Sequence, residues 1–151
     1  MANPRDALSL LGIRPLRVTL TIDNSTITAS DTEDGGSAQV GLAVKLSADN
    51  TVALVQADDQ VLGQLISVNV ASGDLRCSVQ VGGFISFLKG TNYSGAVGGK
   101  IVGDVLVAAE GYVKHLAAAS AGSAAEINAL AAAQGVIYDD SDTDEVVVWM
   151  G

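Results

Sequence analysis

Aromatic side chains are few in this 151-residue chain: one Trp, three Tyr and two Phe. Base is scarce too, with 8 Lys+Arg against 17 Asp+Glu and a net charge of −9. An acidic chain repels phosphate and, with so few rings, lacks stacking platforms, so nucleic-acid binding is not expected. There is one cysteine, Cys77, and one histidine, His115. These exclude an internal disulfide framework, a cysteine-built zinc site and a multi-histidine metal centre. No run approaches the roughly 18 consecutive apolar residues of a membrane-spanning helix. The stretch Ala7–Ile13 is cut short by Arg14 and Pro15 and does not read as a secretory signal. Synthesis in a cytoplasm is therefore expected. What is abundant is glycine, at 17 residues, and small aliphatics in a chain that is 48% apolar. That is enough for one domain with a real core.

Charge divides along the chain. Arg5, Arg14 and Arg17 against Asp6 give residues 1–22 a net of +2, which leaves −11 for the rest. Residues 23–37 are mostly small or polar and end in Asp34-Gly35-Gly36, so 1–37 reads as an N-terminal arm and flexible loop. From 38 to 151 the pattern is β. Val40, Leu42, Val44 and Leu46 alternate with smaller or polar residues, Ser47–Asn50 turns the chain, and Thr51–Gln56 starts the next strand. Ile66–Val70 and Leu75–Val81 form a second hairpin about Ala71–Asp74. Phe84–Leu88, Lys100–Ala109, Val136–Tyr138 and Glu145–Met150 complete the expected strands. Ser123-Ala124-Ala125-Glu126 is a capping box that predicts one short helix over 124–134, with Gly135 at its end. Closely spaced turns and few helices indicate a mainly β, mainly antiparallel barrel or sandwich.

Candidate chemistry fails residue by residue. Gly98-Gly99-Lys100-Ile101 resembles the end of a phosphate-binding loop, but Ser94 stands where Gly is required and Ile101 where Ser or Thr is required. No Gly-x-Ser-x-Gly elbow occurs. His115 reads as a strand-end histidine, and Cys77 as a small core residue. Asp140-x-Asp142-x-Asp144 copies the start of a calcium loop, yet Glu145 replaces the required Gly and Gly151 the required Glu. The run reads instead as a solvated hairpin turn. No catalytic residue, metal or cofactor is expected, and the chain is not expected to be an enzyme.

The strand run Gly41–Leu46, Thr51–Val55, Val61–Leu65, Cys77–Gly83, Val97–Val102, Gly135–Asp140 and Glu145–Trp149 resembles the small capsid decoration (cement) proteins of tailed bacteriophages. The resemblance covers about residues 38–150; residues 1–37 have no counterpart in it. It implies a small antiparallel β-barrel or tulip-like domain on the outer capsid surface of a virion. It further implies a homotrimer at local three-fold positions that stabilises the major capsid protein shell. An N-terminal arm reaching onto the shell is part of that expectation. Here Arg5, Arg14 and Arg17 would supply its charge, and Leu8, Leu10, Leu11 and Ile13 its apolar anchors. The alternative is a virion-surface module for host glycans, with Tyr93, Tyr112, Tyr138 and Trp149 as its rings; Trp149, in a valine strand, is expected in the core. A small hydrolase using His115 and a serine is a third reading.

Overall fold

A computed structural model describes residues 15–30, 32–71, 74–95, 97–116, 131 and 133–151. Its first half is a closed five-stranded barrel of β1 (Arg17–Ile22), β2 (Ala43–Ala48), β3 (Thr51–Leu54), β4 (Gly63–Ala71) and β5 (Asp74–Gln80), in the order β1-β3-β2-β4-β5. The β2–β3 and β4–β5 hairpins form where alternation and turn residues predict them. Asn50 adopts a left-handed φ of 54° in the first turn, a conformation its short polar side chain tolerates.

β1 closes the ring. It pairs antiparallel with β5 from Arg17↔Gln80 to Thr21↔Arg76, and parallel with β3 at Thr21↔Thr51 and Ile22↔Val52. The boundary expected at residue 37 therefore does not coincide with a structural one, because residues 17–22 are barrel wall. The segment that follows is also anchored. Ile27 is fully buried in the barrel core and Ser37 is buried. At Gly36 (φ 79°) any Cβ would collide with the Val68 carbonyl of β4, so only glycine lets this loop lie against the strand.

The second half comprises β6 (Gly83–Leu88), β7 (Ile101–Leu106), β8 (Ala109–His115), β9 (Val136–Asp139) and β10 (Glu145–Met150). β6, β10 and β9 form a three-stranded antiparallel sheet, and β7 pairs with β8. Isolated bridges Lys89↔Val113 and Ile101↔Gln134 stitch the two sheets around a second core. The strand expected over 100–109 is thus a hairpin turning at Val107–Ala108. The helix expected over 124–134 falls mostly outside the described residues. At its expected end Gln134 is extended and bridges Ile101, and Gly135 has a φ of 62°.

Two cores meet across a shared wall. Ile22, Val44, Val52, Leu54, Leu65 and Val79 are among those filling the barrel. Ile85, Phe87, Ile101, Val113, Ile137 and Val148 are among those filling the second unit, where Ala43, Val55 and Val61 from the barrel side join them. Neighbouring residues Ala43 and Val44 thus face different cores, as do Leu54 and Val55, because successive side chains of an extended chain point to opposite sides. The seam is also polar. Gln64 Nε2 donates to Gly41 O (3.0 Å) and Ser86 O (2.6 Å), and Gln80 Nε2 donates to Gly82 O (3.2 Å) and Phe84 O (3.1 Å). The two glutamines are cross-strand partners on β4 and β5. Their amides satisfy the Phe84 and Ser86 carbonyls of β6 and the Gly41 and Gly82 carbonyls beside it.

Candidate functional site: an outward aromatic face

The sheet β6-β10-β9 buries one face and exposes the other. Val146, Val148 and Met150 point inward, so Glu145, Val147 and Trp149 point outward. Trp149 sits opposite Phe84 on β6 and Val136 on β9. Phe84 lies 4.9 Å from Trp149 in a tilted arrangement and 4.9 Å from Tyr138 edge-on. With Val97 these residues border an open, almost wholly apolar hollow of about 640 Å³. Trp149 is 41% exposed, Tyr138 53% and Val97 69%. The expectation that Trp149 belongs to the core is therefore corrected: β10 alternates, and Trp149 shares its outer side with Glu145. These side chains form a contiguous exposed apolar surface.

The face changes character along the strands. At the far end of β10, Glu145 accepts from the Ser86 hydroxyl (2.7 Å), and the β9–β10 loop carries Asp139, Asp140, Asp142 and Asp144. The loop is organised from within. Asp139 accepts from the Ser141 N–H, and Asp142 from the Asp144 and Glu145 N–H groups; these bonds hold both carboxyls below the usual carboxylate range. The Lys89 ammonium lies 2.7 Å from Asp140 Oδ1 and donates to the carbonyls of Asp140 and Asp142. It also lies 4.8 Å from the centre of the Tyr93 ring. A lysine thus occupies the ground a cation would take. Among the described residues no group of three or more His, Cys, Asp or Glu is placed to hold a metal ion. Burial, and then the nearby Asp140 carboxylate, push the Tyr93 hydroxyl well above its ordinary pKa.

The other residues singled out from sequence are scattered. Cys77 is buried in the barrel core, where burial raises its thiol pKa, as suits a packing residue. His115 ends β8 opposite Ile101. Tyr112 lies on β8, opposite the fully buried Asp104 of β7, whose carboxylate accepts from the Asn92 N–H (2.9 Å) and Nδ2 (3.0 Å). Of the arm residues, Arg17 is exposed on β1, while Arg5, Leu8, Leu10, Leu11, Ile13 and Arg14 lie outside the described residues. A second exposed apolar spot lies at the β7–β8 tip, where Val107 is 89% exposed with a φ of 61°. No helix among the described residues is long and apolar enough to cross a membrane.

Fold and face together define a mainly β protein: a closed barrel fused to a smaller β unit that presents an aromatic surface. Comparison with protein-family models, curated proteins and solved structures finds no match to the chain.

Proposed function

We propose that this chain is a structural protein of a phage virion that binds the outside of the head and stabilises the major capsid protein shell. It would act as a trimer at local three-fold positions. The observation that carries the proposal is the outward aromatic face, because an exposed aromatic surface with almost no polar lining suits a protein partner. Trp and Tyr at the centre of such a face are the residue types that dominate binding energy. The strong net negative charge disfavours contact with packaged DNA and so favours the outer surface. Arg5, Leu8, Leu10, Leu11, Ile13, Arg14 and Arg17 would add a second attachment, and repetition over a shell turns moderate contacts into firm clamping. No catalytic role is proposed.

The test is sedimentation of the purified protein with expanded and unexpanded capsid-like shells. Expanded shells are expected to take it up and unexpanded ones to leave it in the supernatant. Trp149→Ser together with Tyr138→Ser should weaken uptake at least about tenfold while the barrel stays folded. Shells that bind none of the wild-type protein would refute the proposal.

A second reading, a module for host glycans, is favoured by the exposure of Tyr138 and Trp149. Against it stands the shortage of polar side chains around the hollow to meet sugar hydroxyls. A glycan array decides: signal lost in Trp149→Ser supports this reading, and a blank array removes it.

A further inference from the structure

The β7–β8 tip is the reverse of the aromatic hollow in shape and its match in chemistry. Leu106, Val107, Ala108 and Ala109 are all exposed, an apolar run at the end of a hairpin. The tip is held firmly. The Val107 N–H donates to Thr91 Oγ1 (2.8 Å), and the Thr91 N–H donates to Val105 O (2.9 Å). Val107 keeps its left-handed φ of 61° despite a branched Cβ. Backbone strain of this kind persists where the surrounding structure imposes it, and it collects at functional sites. Among the described residues, Val107 is thus the crest of a rigid apolar knob.

Knob and hollow lie at opposite ends of the second unit. β6 runs from Phe84, beside the hollow, to Leu88, and Thr91 under the tip follows shortly after. β7 runs the same way, from Ile101, just past the Gly98 rim of the hollow, to Leu106. Five strand steps put about 17 Å between the two ends, so the tip cannot fill the hollow of its own chain. Charge follows the same axis. Lys100 is exposed beside the hollow's rim, and Arg17 is exposed on β1 opposite Gln80, near the start of β6. The exposed acids Asp142, Asp144 and Glu145 lie at the tip end, where the Lys89 N–H donates to Asp144 O (2.8 Å). One end therefore offers an apolar concavity with base beside it, and the other an apolar knob with acid beside it. A second concavity, of about 410 Å³, suits the knob less well, because it holds the Lys45–Asp59 ion pair (2.6 Å).

We propose that in solution the β7–β8 tip of one copy seats in the aromatic hollow of the next, Val107 against Tyr138 and Trp149. Two copies meeting tip to tip would set acid against acid, and two meeting hollow to hollow would leave both knobs in water. Head to tail, acid meets base and each knob finds a cavity. Such a contact is heterologous: every copy gives one knob and receives another, and the chain of contacts closes into a ring or runs on as a filament. The inference deepens the proposed function and rests on that reading for a ring of three. A neighbouring copy then completes the aromatic face before the ring meets a shell.

The experiment uses the purified full chain without shells. Val107→Cys and Val136→Cys, the latter opposite Trp149 on β9, are made as separate variants; Cys77 is buried and takes no part. After mild oxidation, a mixture of the two is expected to give a disulfide-linked dimer, and each variant alone to stay unlinked. Sedimentation equilibrium should give the mass of three chains for the wild type. Val107→Asn, which keeps the turn, should need a concentration at least about tenfold higher to assemble. Its melting is compared with the wild type at dilutions where both are monomeric. Linking of either cysteine variant with itself overturns the proposal in favour of a like-to-like contact. An unlinked mixture, or a wild type that sediments as a monomer, also overturns it. Shell uptake is not read in this experiment, so its failure is distinct from a failure to bind shells.

Discussion

The barrel holds no aromatic residue: every Phe, Tyr and Trp of the chain lies between residues 84 and 149. The barrel is sealed by its own ladder. Its wall closes on itself through β1, and its core is aliphatic apart from Cys77. Among the described residues the second unit is joined by isolated bridges and loop hydrogen bonds, such as that from Ile137 N–H to Gly99 O (2.8 Å), and keeps one sheet face in solvent. Closure by backbone hydrogen bonds leaves a barrel without edges to offer. The exposed aromatic side chains belong to the less completely closed half.

Core truncations probe that contrast most strongly. Phe87→Ala in the second core should cost about 3–5 kcal/mol, and Leu65→Ala in the barrel about 2–5 kcal/mol. The shared wall of β2 and β3 predicts that both variants unfold in one transition. Urea curves followed by Trp149 fluorescence, which senses only the second unit, and by far-UV circular dichroism should coincide. Separated curves would show that the halves unfold independently.

The polar seam comes next. Gln64→Leu removes two donors and leaves the Gly41 and Ser86 carbonyls unpaired, at a cost of about 1–3 kcal/mol. Loss confined to the Trp149 signal would mean that the amide holds β6 to the barrel without supporting the barrel itself.

A gain is expected at the β7–β8 tip. Val107 is β-branched in a left-handed conformation, and Val107→Asn relieves that strain by about 1 kcal/mol, read as a melting temperature higher by a few degrees. An unchanged or lower melting temperature would refute strain at this turn.

The smallest effect belongs to the barrel loop and to acid. Partial burial alone would raise the pKa of Asp23, but hydrogen bonds from the Ser25 hydroxyl, the Thr26 and Ile27 N–H groups and the Thr26 hydroxyl outweigh it and bring it to about 2. A carboxyl with a depressed folded pKa contributes stability above its unfolded value near 4 and loses it as pH falls toward 2. Because the group is only partly buried, the effect is small. Asp23→Asn should flatten the acid limb of the stability curve between about pH 4 and 2. An unaltered limb would mean that these bonds do not stabilise the charged form.

Three hairpins were legible because alternation and turn residues coincide within a few positions: Ser47–Asn50, Ala71–Asp74 and the acidic loop before Glu145. β1 was missed although Val18, Leu20 and Ile22 alternate, because its partner β5 lies more than fifty residues away and its arginine grouped it with the basic segment. The β7–β8 turn was missed because Val107 and Ala108 carry no turn chemistry. The outward position of Trp149 could have been read from Glu145, which shares its side of β10 and cannot be buried cheaply.

By itself the amino-acid sequence determined the β character, most strand positions, the core role of Cys77 and the exclusion of chemistry that needs several cysteines or histidines. These follow from local periodicity and from composition, which need no knowledge of distant partners. Tertiary structure alone decided that β1 closes the barrel, that neighbouring residues of the shared wall serve two cores, and that Phe84, Tyr138 and Trp149 converge on one exposed face. Each depends on pairing between segments far apart in the chain, and strand period says which residues share a side without saying what that side will meet.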